Sequence, residues 1–251
     1  MTDWIFLRGL IREQRHWGRF VNEFETCVVD STVHTIDLPG NGELNFMRSP
    51  VNMREMVEAC RRQLVEQGLA PPYSLFAVSM GAMVAVQWAA SFPDEVLSLV
   101  LVNTSMRPFS PVHRRLRWRS CISILKLAIQ GATAEQWEQA ILQMTTHHPR
   151  EDVLRHWQAL RERFPVTGVN AMRQLFAAAM FKASPMKPNS QILLLASERD
   201  QLVSSECSKT IARSWNVPLK LHPTAGHDLP LDDGLWVANQ VRLWEQSRTA
   251  T

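Results

Sequence analysis

The stretch that decides the fold reads Leu75-Phe76-Ala77-Val78-Ser79-Met80-Gly81-Ala82-Met83-Val84-Ala85. An apolar run that reaches a serine and continues into a second apolar run predicts a strand, a sharp turn and a helix. Small residues flank the turn, with Ala77 two positions before Ser79 and Gly81 two positions after it. Bulky side chains at those positions would collide with the neighbouring strand or helix. The pattern is typical of a nucleophile elbow, in which the helix directs its free amide groups toward the serine oxygen.

Length and composition indicate one ordinary globular α/β domain that has room for an insertion. The chain has 251 residues, of which 45% are hydrophobic and 20% are charged, and this size can bury a substantial core. The formal net charge of +3 is too small to indicate nucleic-acid binding without a localised basic patch. The four cysteines are widely scattered and have no metal-ligand spacing, so we expect free thiols and no metal site.

The sequence predicts a cytoplasmic protein that does not span a membrane. The apolar stretch Trp4-Ile5-Phe6-Leu7 resembles core and leaves no room before it for a signal peptide. Residues 67–93 carry no charge, and this stretch is long enough for a membrane span. This segment contains three prolines, three serines and two glycines, and it divides naturally into strand, turn and helix.

Strand-like and helix-like patterns alternate along most of the chain, which predicts a mostly parallel sheet covered by helices on both faces. The strand-like runs lie at residues 4–7, 33–36, 75–78, 97–103, 191–196 and 218–222, giving about six strands. Only helical patterns occur between roughly Ser105 and Lys187. We therefore predict a core formed by residues 1–104 and 188–251 and a helical cap, or lid, formed by residues 105–187.

Five motifs in a fixed order give the chain a family resemblance. They are Arg8-Gly9 with Trp17 downstream, the loop Asp37-x-Pro-Gly-x-Gly42, the turn at Ser79, Asp200-x-x-Val203, and Gly226-His227. This arrangement resembles the α/β-hydrolase fold superfamily, and more specifically its serine hydrolases and carboxylesterases, with some similarity to carrier-protein methyl esterases. The match runs nearly end to end apart from the predicted lid. Serine, acid and histidine each follow a predicted strand, in the order typical of that fold.

The resemblance implies a catalytic triad. Serine is a poor nucleophile at neutral pH, so Ser79 would need His227 to take its proton, while Asp200 would orient the imidazole. Glu198, two residues before Asp200, is an alternative acid. The resemblance also implies that the backbone amides of Met80 and Leu10 form the oxyanion hole.

Two positions depart from the family pattern. Arg8 replaces the usual histidine of the first loop, so we expect the packing around Leu10 to differ from that of relatives. Ala77 replaces the first glycine of the elbow, which adds a methyl group where clearance is tight. We interpret the loop from Asp37 to Gly42 as structural, since its glycines allow a backbone turn beneath the site.

The predicted lid is strongly basic. Between residues 105 and 187 there are thirteen Lys and Arg against five Asp and Glu, a net charge of +8. The simpler interpretation is a solvated helix face. The functional alternative is an anion-recognition site, since guanidinium groups suit a carboxylate or phosphate. The candidate residues are Arg114, Arg115, Arg117 and Trp118.

The sequence as a whole favours a serine hydrolase that cleaves a small-molecule carboxylic ester through an acyl-enzyme. It contains no cofactor motif, and we expect no cofactor. Three alternatives stay open. The first is a thioesterase or carrier-protein methyl esterase that takes an acyl carrier protein or coenzyme A thioester through the basic lid. The others are a non-hydrolytic lyase of the menaquinone-synthesis type and a catalytically silent binding protein on the same fold.

Overall fold

A computed structural model describes residues 1–117, 131–148 and 150–249. Its centre is a six-stranded sheet in the order β2-β1-β3-β4-β5-β6, and every neighbouring pair is parallel. The strands are β1 (Thr2–Leu7), β2 (Ser31–Ile36), β3 (Tyr73–Val78), β4 (Val96–Val102), β5 (Gln191–Ser197) and β6 (Leu219–His222). The predicted α/β fold with a mostly parallel sheet of about six strands is confirmed.

Helices cover both faces of the sheet. Within the described residues they are α1 (Phe20–Cys27), α2 (Met53–Glu66), α3 (Met80–Ser91), α4 (Val112–Arg115), α5 (Ala134–Thr145), α6 (Glu151–Arg163), α7 (Gly168–Met180), α8 (Ser205–Trp215), α9 (Leu229–Asp232) and α10 (Gly234–Thr249). Short 3₁₀ turns span Gln14–Trp17, Gly42–Leu44 and Pro93–Glu95. Across the described ranges, we find no helix with the length and apolar character to cross a membrane.

Each strand divides its side chains between two hydrophobic layers. On β1, Trp4 and Phe6 pack into an aromatic layer with Phe76, while Ile5 and Leu7 face the opposite layer. The alternation follows from the period of two along a strand. Every residue of β3 is buried, which explains why this strand appears in the sequence as an unbroken apolar run.

The segment after β1 forms two short elements where the spacing of Trp17, Phe20 and Phe24 predicts one helix. The 3₁₀ turn Gln14–Trp17 ends at Gly18, whose φ of 52° is left-handed, and α1 begins only at Phe20. Glycine adopts that backbone conformation without steric cost. The apolar face continues across the break at Gly18, because Trp17, Phe20 and Phe24 all pack into the same aromatic layer.

Helix α3 starts directly against the end of β1. A Cβ placed on Gly81 would lie 2.5 Å from the carbonyl oxygen of Leu7 and 2.6 Å from that of Arg8. Both contacts are with backbone atoms, which cannot rotate away. The glycine of the elbow is therefore required by this close approach of helix and strand.

The chain between β4 and β5 contains α4 to α7, and we refer to this segment as the helical insertion. Helix α7 is attached to the core through buried amide side chains. Gln174 accepts a hydrogen bond from the Ile11 amide at 2.9 Å and donates to Asn41 at 2.7 Å. Asn170 accepts from the Ser49 amide at 2.9 Å. That the insertion acts as a separate lid over residues 105–187 stays a prediction.

A second attachment of the insertion uses buried charge. Glu138 on α5 is 1% exposed. Its carboxylate accepts from Arg12 Nη1 at 2.7 Å and from Arg161 Nε at 2.6 Å. The Arg12 guanidinium also lies over the Trp157 ring, 4.1 Å from its centroid. Because Arg12 belongs to the loop after β1, this Glu138 cluster (Arg12, Glu138 and Arg161) joins the insertion to the sheet core.

Replacing Gly81 with alanine should destabilise the protein. The added methyl group would push the end of β1 away from α3, and overpacking of this kind costs about 1–3 kcal/mol. Gly168→Ala is a matched control, since a Cβ there meets no atom within 4 Å. Urea unfolding should give a lower midpoint for Gly81→Ala and an unchanged or higher midpoint for Gly168→Ala. Equal midpoints would show that β1 and α3 separate without cost.

Replacing Glu138 with glutamine should also destabilise the protein, because it leaves the buried Arg12 cation without a carboxylate. Breaking a buried ion pair in this way costs about 3–5 kcal/mol. Asp152→Asn is the control, since Asp152 pairs with Arg150 on the exposed face of the same insertion. The midpoint of thermal unfolding should be clearly lower for Glu138→Gln than for Asp152→Asn. Equal midpoints would contradict the role of Glu138 described above.

Candidate active site

The backbone of Ser79 is held in a left-handed conformation between β3 and α3. Its φ is 57° and its ψ is −115°, a region that non-glycine residues rarely occupy and that costs about 1–3 kcal/mol. Neighbouring strands compensate for this strain. The Ser79 amide donates to the Val102 carbonyl at 2.9 Å, and Thr104 Oγ1 donates to the Ser79 carbonyl at 2.9 Å. The strand–turn–helix predicted from the sequence is present, and the Ser79 side chain stays partly accessible.

The loop after β1 passes directly beside Ser79. A Cβ on Gly9 would lie 3.2 Å from Ser79 Cβ and 3.7 Å from its Oγ. Leu10 directly follows Gly9, the residue whose backbone lies against Ser79. Met80 is the first residue of α3, so its amide is among those that have no acceptor within the helix. Met80 thus directly follows Ser79 in the sequence, and Leu10 directly follows the glycine that lies against Ser79. That their amides form an oxyanion hole stays a prediction.

His227 and Asp200 meet at the same edge of the sheet. They follow β6 and β5, and His227 Nδ1 lies 2.7 Å from Asp200 Oδ2. An ionised carboxylate can only accept, so Nδ1 carries the proton and donates it to Asp200, which leaves Nε2 as the basic nitrogen. Both residues are buried, His227 at 7% exposure and Asp200 at 2%.

The backbone holds Asp200 in place. Its second oxygen, Oδ1, accepts from the amides of Leu202 at 2.7 Å and Val203 at 2.9 Å. Glu198, the alternative acid, is exposed and lies at the start of the same loop. The carboxylate that the fold brings to His227 is therefore that of Asp200.

The pKa of His227 is raised above its ordinary value of 6.5. Burial alone would lower this pKa, but the charge of Asp200 and its hydrogen bond outweigh the burial, and Asp228 adds to the rise. The arrangement therefore stabilises the imidazolium form. A histidine that is oriented by a carboxylate is equipped to accept and return a proton.

Asn103, which the sequence analysis did not single out, connects the loops at this edge. It directly follows β4 and has a left-handed φ of 45°. Its Nδ2 donates to the His227 carbonyl at 2.8 Å and to Ser197 Oγ at 3.0 Å, while its Oδ1 accepts from the Ser197 amide at 2.8 Å. The available signal was an asparagine directly after an aliphatic strand, where amide side chains often satisfy loop backbone groups.

Arg8 forms a buried ion pair that the sequence did not indicate. Its two terminal nitrogens donate to the two oxygens of Asp228, at 3.1 Å and 2.5 Å. The arginine side chain is 4% exposed and the aspartate side chain 6%. Burial alone would raise the pKa of Asp228, but the charge of Arg8 outweighs it and holds this pKa below its ordinary value.

The basic residues predicted to bind an anion have different environments. Arg115 is buried and its guanidinium donates to the carbonyls of Ala178 and Ala179, in the last turn of α7. Arg114 and Arg117 are exposed. The Arg117 amide donates to the Leu202 carbonyl at 2.9 Å, so this segment borders the loop that carries Asp200. Trp118 lies outside the described residues.

Two curated proteins match parts of the chain. A pimeloyl-[acyl-carrier protein] methyl ester esterase of Chromobacterium violaceum is 36% identical over 92 residues, which is 37% of this chain and 34% of that protein. A homoserine O-acetyltransferase of Geotalea uraniireducens is 25% identical over 99 residues, which is 39% of this chain and 27% of that protein. The chain thus aligns with about a third of the length of these relatives.

The fold is shared with solved structures of low sequence identity. An esterase from Exiguobacterium antarcticum superimposes with a TM-score of 0.79 at 13% identity, covering 97% of this chain and 91% of the esterase. The model of the Alpha/beta hydrolase family matches residues 4–240. The match therefore runs from β1 into α10 and includes Ser79, Asp200 and His227. The chain belongs to the alpha/beta hydrolase family.

Proposed function

We propose that this hydrolase cleaves carboxylic esters through an acyl-enzyme formed on Ser79. The observation that carries the proposal is the buried hydrogen bond between His227 and Asp200 at the sheet edge where Ser79 occupies its strained turn. A serine, a basic imidazole and an orienting carboxylate are the components of acyl transfer to water.

Each residue has a definite step in this reaction. Ser79 Oγ attacks the ester carbonyl while its proton passes to His227 Nε2, and the amides of Met80 and Leu10 donate to the carbonyl oxygen as it becomes negative. The imidazolium then protonates the departing alkoxide, which leaves as an alcohol. In the second half, His227 takes a proton from water, the hydroxide attacks the acyl group, and Ser79 recovers its proton as the acid departs. Asp200 stays ionised throughout and stabilises the imidazolium.

Replacing Ser79 with alanine should abolish ester hydrolysis. Turnover of p-nitrophenyl esters from C2 to C12 should fall by a factor on the order of 10⁴–10⁶, because the variant has no nucleophile. Ser91→Ala is the control, since Ser91 ends the same helix α3, far from the turn. A fluorophosphonate should label the wild type and Ser91→Ala at Ser79 and should not label Ser79→Ala.

The outcome separates the candidate functions. A folded wild type that hydrolyses no ester and resists the fluorophosphonate would contradict the proposal and favour a silent binding protein. Labelling at Ser79 without ester turnover would favour a different chemistry at the same serine, such as the lyase reaction or acyl transfer to another acceptor.

A carrier-protein methyl ester is a second candidate substrate. Two observations favour it: the similarity to a pimeloyl-[acyl-carrier protein] methyl ester esterase and the exposed cations Arg114 and Arg117 beside the Asp200 loop. Acyl carrier proteins present a phosphate-linked arm, and guanidinium groups pair well with phosphate. Arg115 is not assigned to this role, because its guanidinium already binds the end of α7.

Reversing both charges, with Arg114→Glu and Arg117→Glu together, should impair only the carrier-bound substrate. We expect kcat/KM for pimeloyl methyl ester on acyl carrier protein to fall at least about tenfold, a loss of roughly 1.4 kcal/mol of binding, and the p-nitrophenyl ester rate to stay unchanged. The control reverses Arg54 and Arg62, two exposed arginines of α2. Rising ionic strength should reproduce the loss in the wild type. Equal rates for all three proteins on the carrier substrate would reject this candidate.

A further inference from the structure

The buried pair Arg8 and Asp228 joins the two halves of the proposed site. Arg8 directly precedes Gly9 and Leu10, which form the loop beside Ser79, and Asp228 directly follows His227. The bidentate contact therefore connects the backbone that carries one oxyanion donor to the backbone that carries the general base. The two residues are 220 positions apart in the sequence.

Further contacts hold both Arg8 and Asp228 in place. The Arg8 guanidinium lies over the ring of Trp17, 4.6 Å from its centroid, and the Arg8 carbonyl is in close contact with Gly81. The Asp228 amide donates to the Thr145 carbonyl at 2.7 Å, at the last residue of α5. A planar guanidinium that is fixed in this way can set the separation of two loops within narrow limits.

Stability alone does not explain the pair. Burying two charges requires desolvation that their attraction roughly offsets, and apolar residues of similar volume are often as stable at such positions. Arg8 Nε also has no hydrogen-bond partner among the described residues, although it is buried. The pair provides a directional, two-point connection, which an apolar contact does not.

We infer that Arg8 and Asp228 are positioning residues for ester hydrolysis, which hold the Leu10 amide and the His227 imidazole in register across Ser79. This inference rests on the proposed function. Neither side chain needs to touch the substrate. Arg8 acts through the loop that it begins, and Asp228 acts through the histidine that precedes it.

The pKa of His227, seen in the pH dependence of kcat/KM, provides a second measurement. A pair with a purely structural role would leave it unchanged. Burial lowers the pKa of the His227 imidazole, the charges of Asp200 and Asp228 raise it, and the charge of Arg8 lowers it. A general base must be neutral to act, so kcat/KM falls as the pH drops through this pKa. Removing the Asp228 charge should move that acid limb to lower pH, and removing the Arg8 charge should move it to higher pH.

The experiment compares Arg8→Met, Asp228→Asn and the apolar pair Arg8→Met/Asp228→Leu on p-nitrophenyl butyrate. The double variant is included because either single variant leaves a buried charge and can fail to fold. Arg61→Met/Glu95→Leu is the matched control. Arg61 and Glu95 form a similar two-point pair, with contacts of 2.6 Å and 2.9 Å, next to the start of β4 and away from Ser79. Fluorophosphonate labelling of Ser79 is measured for every protein.

We expect the double variant to unfold within a few degrees of the wild type and to lose about 10- to 100-fold in kcat, as expected for slight misplacement of reacting groups. Its KM should change less than about twofold, a sign that only transition-state interactions are lost. The control pair should keep wild-type kcat. The folded single variants should shift the acid limb in opposite directions.

Two results would overturn the inference, and they are distinguishable. If Ser79 is labelled normally and the double variant keeps the wild-type kcat and pH profile, the pair is structural only and the proposed function stands. If the folded wild type neither turns over esters nor labels at Ser79, the proposed function fails and the positioning role fails with it.

Discussion

The left-handed turn at Ser79 is the constraint on which the rest of the molecule depends. It places a serine side chain above the sheet edge only if α3 starts in contact with β1, and that contact excludes any side chain at Gly81. The strain is compensated by two hydrogen bonds: the Ser79 amide donates to the Val102 carbonyl at the end of β4, and the Thr104 hydroxyl donates to the Ser79 carbonyl. Parallel strands bring their carboxyl ends to one edge, so the loops that carry Asp200 and His227 arrive at the same place. The turn therefore brings Ser79 to the edge of the sheet at which the Asp200 and His227 loops arrive.

The loop after β1 connects that turn to the helical insertion. Its backbone lies against Ser79 at Gly9, its Ile11 amide binds Gln174 of α7, and its Arg12 side chain binds Glu138 of α5. The contacts of Ile11 and Arg12 are directional hydrogen bonds to helices of the insertion. Any shift of α5 or α7 would thus act on the same backbone that carries the Leu10 amide. The insertion and the candidate oxyanion loop form one connected unit.

The sequence predicted the features that depend on local pattern. The elbow at Ser79 and the parallel sheet follow from apolar runs and small residues that are close in the chain, whereas the order of serine, acid and histidine was implied by the family resemblance. The contacts that hold the site together could not be found in this way. Arg8 and Asp228 are 220 residues apart, and a single sequence gives no reason to pair them. Arg115 shows the opposite case. The local density of charge suggested an anion site, but in the fold the Arg115 guanidinium donates to backbone carbonyls at the end of α7.

The substitution of arginine for the usual histidine at position 8 changes the charge balance of the whole site. A second buried cation near His227 disfavours the imidazolium that ester cleavage requires, since like charges repel strongly where water is excluded. Asp228 supplies the opposite charge at the adjacent position in the chain, and it raises the pKa of the imidazole where Arg8 lowers it. Arg12, four residues further along the same loop, is also buried, and its guanidinium donates to Glu138 of α5. Each buried arginine of this loop is thus matched by a carboxylate from a distant segment, and the fold keeps both cations without lowering the basicity that His227 needs.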